Sequence, residues 1–393
     1  MNMQSLFCLS PLAAAALIAL ASPAFAATYT FNNGNYVPGV TAPDPLGATD
    51  VLNIGAGGSK FFSSITLTNN GTVNWGADTL YLSSSTFNNN GLWNASSDDA
   101  LNYYSGSQPS FFNTGIFRKS AGTGATSIGS IAFSNSGTID TQTGSIVFAG
   151  GNTSFLAGTQ FTGAGVAAVT NNANFTGAFS SANLALQSGT FTGNGAVVNG
   201  LVNFSGGTMT GDWTVGGGQQ LLLQSGGSKF ISSATLKNQG SVRWLGGNDT
   251  LYLSSTAIAN SGLFDVQGNL NLNYYSGGQP SFTNTGTVQV ATGNTLTLGS
   301  IALVNNGGTL NAAAGATINY GGGSASFNNG TVFGGAGSHV VTNNASFVGS
   351  FTAQNLALQS GTFAGGDGVT PGTTGNAGAT LLGNLAFNGG TLT

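Results

Sequence analysis

The sequence predicts an all-β chain wound as a β-solenoid, a stack of short coils. Three observations carry that prediction. First, a short motif of apolar residue, polar turn, glycine and β-former recurs from Leu67-Thr68-Asn69-Asn70-Gly71-Thr72-Val73. Its turn glycines, Gly71, Gly91, Gly115 and Gly137, recur at a spacing of about 22 residues, a period typical of solenoid coils. Second, apolar residues alternate with polar ones, as in Thr79-Leu80-Tyr81-Leu82-Ser83, which is the period of a half-buried strand. Third, Gly and Asn stop each run after a few residues, as expected for strands and not for helices. About sixteen coils of about 22 residues follow, in two tandem copies, and at a rung spacing near 4.8 Å they make a rod of about 75 Å.

Taken in order, residues 1–26 read as a secretory signal peptide. An apolar run from Leu12 to Ala21 precedes Ser22-Pro23-Ala24-Phe25-Ala26, an A-x-A type cleavage site. The single cysteine, Cys8, falls within that segment, so the mature chain is expected to hold no disulfide and no cysteine metal site. Residues 27–56 are assigned to an N-terminal cap, because an open solenoid end exposes core and unpaired backbone. Residues 57–225 form the first solenoid copy and 226–393 the second. Gly57-Gly58-Ser59-Lys60-Phe61, which opens the first copy, returns at the head of the second as Gly226-Gly227-Ser228-Lys229-Phe230. The glycine rhythm returns as Gly240, Gly262, Gly286 and Gly307. In both copies Asn and Gly are expected to supply the corner geometry, Asn by tolerating left-handed backbone. The last residues, Phe387 to Thr393, match Phe204 to Thr210, so the chain is expected to be a fragment, or a truncated gene product, lacking its anchor.

Composition narrows the function. Only 4% of residues are charged, with 6 Lys plus Arg and 10 acidic residues, all Asp, for a net charge of −4. No basic run exceeds Arg118-Lys119, so a nucleic-acid footprint is not expected. No stretch after the signal segment reaches the length of a membrane helix. The 26 Phe, 9 Tyr and 4 Trp argue against disorder.

The later part of each copy carries a G-T-x-F-x-G-x-G rhythm, at Gly158–Gly165 and Gly330–Gly337. It is followed by Asn-Leu-Ala-Leu-Gln-Ser-Gly-Thr-Phe at Asn183–Phe191 and Asn355–Phe363. On these residues, behind an exported N-terminus, the chain resembles the β-helical stalks of bacterial surface proteins. These are autotransporter passengers, filamentous-haemagglutinin-like adhesins and repeat-rich exosortase-sorted (PEP-CTERM) proteins. The resemblance covers roughly residues 57–393 and implies a right-handed parallel β-helix at a bacterial cell surface. It brings no catalytic residue with it.

Candidate chemistry is sparse. His339, the only histidine, aligns with Ala167 or Ala168 and is expected at a solvent-facing turn. Asp98-Asp99 is the nearest approach to the acid cluster of a polysaccharide-degrading β-helix, but the second copy has Asn269 and Leu270 there, so both acids read as solvated turn residues. Asp78 and Asp249 read as turn caps before Thr-Leu-Tyr-Leu. Gly365-Gly366-Asp367-Gly368 is a partial calcium-repeat match too isolated to hold an ion. No catalytic residue, metal ligand or cofactor is assigned. The binding candidates are Tyr104 and Gln108, with Tyr275 and Gln279 in the second copy, inside the longest polar-aromatic identity between copies (Leu101-Asn102-Tyr103-Tyr104-Ser105-Gly106 and Leu272-Asn273-Tyr274-Tyr275-Ser276-Gly277). Alternation puts Tyr103 and Tyr274 inward and Tyr104 and Tyr275 outward, where a ring can stack on a sugar. With eight coils between them, the two sites are expected about 38 Å apart on one face. The expected function is a non-enzymatic, exported stalk or adhesin module whose partners are surface glycans or other matrix proteins. The alternatives are a β-helix polysaccharide-degrading enzyme and, from Thr66-Leu67-Thr68 and Thr391-Leu392-Thr393, an ice-binding solenoid.

Overall fold

A computed structural model describes residues 26–366 and 378–393. The expected signal peptide, Ala26 excepted, and Asp367-Gly368 lie outside the described residues. Among the described residues, all 43 strands are hydrogen-bonded to neighbours in one continuous parallel system and no helix occurs. The chain is a β-solenoid of about 16 turns, at roughly 21 residues per turn.

Each coil contributes to three sheet faces. In the first solenoid copy face 1 begins with Lys60–Ser63, face 2 with Thr66–Asn69 and face 3 with Thr72–Trp75. Each strand pairs in parallel with its counterpart one coil on, as in Leu67↔Phe87↔Phe111↔Phe133 on face 2. Alternate residues point inward and stack on their equivalents. Phe87 and Phe111 lie 5.8 Å apart, and Phe111 and Phe133 lie 5.3 Å apart. Trp75, Trp93, Trp213 and Trp244 are all buried. Residues 27–56 join the same pairing: Thr28–Phe31 pairs with Val51–Ile54, and Gly34-Asn35 with Lys60-Phe61. Over this first coil, Tyr36 stacks on Phe62 at 5.0 Å and closes the aromatic column.

The corners differ from expectation in their chemistry. Asn69 is not a surface turn residue; it is 1% exposed and points inward. Its Nδ2 donates to Asn89 Oδ1 at 2.6 Å, Asn89 to Asn113 at 2.6 Å and Asn113 to Asn135 at 2.5 Å. Asn135 closes this buried ladder on Thr159 Oγ1 at 3.1 Å. Each buried amide thereby meets a partner, which its burial requires. Among the described non-glycine residues, the left-handed backbone expected of asparagine belongs to serines and to Asp78, at φ 67°. Ser64, Ser84 and Ser130, with Ser233, Ser255 and Ser300 in the second copy, have φ between 47° and 55°. Gly71, Gly91, Gly115 and Gly137 do not need positive φ. A Cβ on Gly91, Gly115 or Gly137 would stand 2.1 Å from the carbonyl oxygen of the preceding glycine in the column. In the second copy the column member is Gly308, not Gly307. Thr309 follows Gly308 and pairs with Thr287, while Gly307 is an additional residue at φ 69°.

The second copy is also rotated relative to the first. Following face 1 coil by coil from Lys60 leads through Leu80, Leu101, Ile128, Phe148, Val169, Leu186, Phe204 and Leu223 to Trp244. Trp244 is the counterpart of Trp75, which stands on face 3. Lys229, the counterpart of Lys60, stands on face 2, paired with Gly207 and Leu251. The repeated unit therefore holds eight coils and one extra face. Its middle coils are short: Val169, Leu186, Phe204 and Leu223 follow one another more closely in sequence than do Leu80, Leu101, Ile128 and Phe148. There the chain rounds corners through bulges inside long strands, Ala173–Leu186 and Thr190–Phe204, without spending separate turn residues.

Candidate functional site

Ionic groups are built into the coils. Lys60, Lys119 and Lys229 are fully buried. Their ammonium groups reach a corner where Asp78 (2.8 Å), Asp98 (2.5 Å) and Asp249 (3.4 Å) respectively stand. Lys119 Nζ also donates to Ser97 O and Thr126 Oγ1. On the outer face, Arg118 pairs with Asp140 at 2.7 Å and Arg243 with Asp265 at 3.0 Å. Among the described residues, five of the six basic side chains are thus matched by an aspartate, and Lys237 is not. Asp78, Asp98 and Asp249 have side chains 36–42% exposed, so they remain solvated acids, and they serve in addition as ion-pair partners of the buried lysines. The Lys119 hydrogen bond, with one from the Gly124 amide, holds the Asp98 carboxyl below its ordinary value. A carboxylate so held stays ionised at neutral pH and is poorly suited to act as a general acid. Asp99 contributes its carbonyl to Ser127 N in the coil ladder.

His339 is fully buried, contrary to the solvent-facing turn expected of it. It occupies an inward strand position between Ile318 and Leu356, where the first copy has Ala167 between Ile146 and Leu184. The larger ring fits because Tyr320 stands parallel to it and Phe333 edge-on, at 6.4 and 5.4 Å. Nε2 lies 2.9 Å from Gly334 O, which only accepts, so Nε2 carries the proton. Nδ1 then accepts from Tyr320 Oη at 3.2 Å. Burial lowers the imidazole pKa below 6.5. Among the described residues, no group of three or more His, Cys, Asp or Glu is arranged to hold a metal ion. Thr66 and Thr68 are followed in their columns by Thr86, Ser110 and Ala132, and by Asn88, Phe112 and Ser134. No continuous threonine ladder forms there.

The tyrosine motif occupies a bulge. Tyr103 pairs with Leu82 and Ser105 with Ser83, leaving Tyr104 as the extra residue. The bulge also turns Tyr103 out of the core: it is 37% exposed, its hydroxyl donating to Gly106 O at 2.6 Å. Tyr103 and Tyr274 are therefore not the inward residues that alternation implied. Tyr104, 60% exposed, rests edge-on against Phe61 at 5.4 Å and Tyr81 at 5.8 Å, which stack on each other at 5.4 Å. In the second copy Tyr275, 62% exposed, meets Phe230 and Tyr252 at 5.4 and 5.6 Å, and that pair stacks at 5.1 Å. Each patch spans three coils. Phe61, Tyr81, Phe230 and Tyr252 are members that sequence reading missed; their signal was an aromatic at the outward position of a strand, retained in both copies.

Gln108 and Gln279 are spent differently. Their amides donate to Ser130 O at 3.3 Å and Ser300 O at 3.5 Å, bridging to the next coil. Gln279 lines a shallow groove with Asp212, Ser233, Ser255 and Ser281, away from the aromatic cluster. The two patches do not share a face. Phe61 and Tyr81 stand on face 1, Phe230 and Tyr252 on face 2. No protein-family model, curated protein or solved structure matches the chain. Among the described residues no helix is long and apolar enough to cross a membrane.

Proposed function

We propose that this β-solenoid is an exported, non-enzymatic structural and adhesive module of a bacterial surface or matrix, and that its aromatic patches bind glycans. The observation that carries the reading is the duplicated three-ring cluster built around Tyr104 and Tyr275. Each patch offers exposed aromatic surface with a phenolic hydroxyl, and it adjoins neutral amides at Asn102 and Asn273, which pair with Tyr81 and Tyr252. Sugar rings have apolar C–H faces and hydroxyl rims, and an amphipathic aromatic platform complements both. The aspartates beside the buried lysines are committed to ion pairs, which leaves little for acid–base chemistry. The apolar N-terminal run supports export, and the G-T-x-F-x-G-x-G rhythm supports the surface-protein setting.

Binding of the full mature chain to a glycan array tests the reading, against a Tyr104→Ala/Tyr275→Ala double variant. Retention on at least one glycan class, lost in the double variant with coil structure intact, is the expected result. Unchanged binding would sink the assignment of the patches. Release of reducing ends from any bound polysaccharide, abolished by Asp98→Asn, would favour the enzyme instead.

A further inference from the structure

We propose that the two patches bind two separate glycan chains, making each molecule a cross-linker and not a double anchor on one chain. This rests on the glycan reading above. The carrying observation is the rotation between copies. Phe61, Tyr81 and Tyr104 stand on face 1, and Phe230, Tyr252 and Tyr275 on face 2. Eight coils and one face separate them, which is about 40 Å along the axis, with a turn of about one third of the circumference.

A stiff glycan chain lying along face 1 over Tyr104 continues parallel to the axis and passes the second patch on the wrong side of the corner. To reach Tyr275 it would have to bend around the rod within that length. Two binding sites strengthen each other on one ligand only when the geometry allows both to engage together. Here it favours two ligands. The phase comes from the short bulged coils between Val169 and Leu223. Had the unit held a whole number of coils, both patches would share a face.

The full mature chain is titrated with cellohexaose and chitohexaose, and mixed with dispersed cellulose and chitin microfibrils. Two sites per molecule are expected, with Tyr104→Ala and Tyr275→Ala each reducing the count to one at unchanged affinity per site. Wild type should bundle microfibrils, seen as faster sedimentation, while either single variant binds them without bundling. Tyr104→Ser and Tyr275→Ser provide polar alternatives should an alanine variant lose its β circular dichroism. If wild type binds none of these probes, this inference fails, and the glycan reading fails with it when the array also shows no retained glycan. If wild type binds but a single variant still bundles fibrils, cross-linking fails and glycan binding stands. A drop of about tenfold or more in a single variant's affinity for long soluble hydroxyethylcellulose would place both patches on one chain. That result too overturns the cross-linker alone.

Discussion

His339 and Lys119 illustrate how polar residues survive inside a stacked-coil core. Each reaches a backbone or side-chain partner in its own or a neighbouring coil, so burial does not leave it unpaired. For His339 this has a consequence in pH. Burial lowers its folded-state pKa below the ordinary 6.5, so the unfolded chain takes up a proton before the folded chain does. Stability is then full above about pH 6.5 and falls as pH drops from there to the lowered folded value, at up to about 1.4 kcal/mol per pH unit. Chemical denaturation of wild type between pH 7.5 and 5 should show that loss, and His339→Leu should remove most of it. A slope equal in both proteins would assign the pH dependence to other groups. The sequence marked His339 only as the counterpart of an alanine. What it did not carry was the side on which that position faces, and its pairing between Ile318 and Leu356 settles that.

At the scale of the element, the repeated turn is a buried amide ladder beside a glycine column. Asn113 donates to Asn135 and accepts from Asn89. Asn113→Leu removes both bonds: Asn89 Nδ2 keeps Ile116 O as an acceptor, but Asn135 Oδ1 is left buried without its donor, at about 1–3 kcal/mol for the orphaned group. The urea midpoint should fall, and by clearly more than in the outward-facing Asn94→Leu. Gly115→Ala acts by overpacking. Its new Cβ would stand 2.1 Å from Gly91 O, and a carbonyl held in the ladder cannot retreat, so the loss should exceed the ~1–3 kcal/mol usual for an added methyl group. Folding of Gly115→Ala with an unchanged midpoint would show that the coils can spread at this corner. The period and the residues of the turn were legible in the sequence; their roles were not. Asn and Gly at a corner satisfy the ordinary rules for turns, and only the register of one coil on the next shows that Asn69 bridges coils and that Gly71 keeps backbones close.

For the whole molecule, about sixteen coils at a rung spacing near 4.8 Å give a rod of about 75 Å. Small-angle scattering from the mature chain should show an elongated particle of that order; a compact sphere of equal mass would contradict the coil count. Stability in such stacks is summed from nearest-neighbour coils, so protection is expected to vary along the rod. The coil at Thr380–Phe387 and Thr391-Leu392 leaves Leu382, Phe387 and Leu392 46–59% exposed. Its amides should exchange with deuterium faster than those of Phe111 or Phe133. Equal protection at both places would indicate that this apolar surface is covered in solution.

The sequence by itself determined the strand period, the coil architecture, the tandem duplication and the tyrosine motif, because each is written in the order of residues along the chain and needs no knowledge of which coil faces which. Tertiary structure alone decided the rest. It turned Tyr103 out through a bulge, gathered Phe61 and Tyr81 around Tyr104, drew Lys119 onto Asp98 and set the second copy one face ahead of the first. The physical reason is that angular phase accumulates. A few residues fewer in each coil between Val169 and Leu223 change no local pattern, yet by Lys229 they have moved every repeated side chain to a different face of the rod.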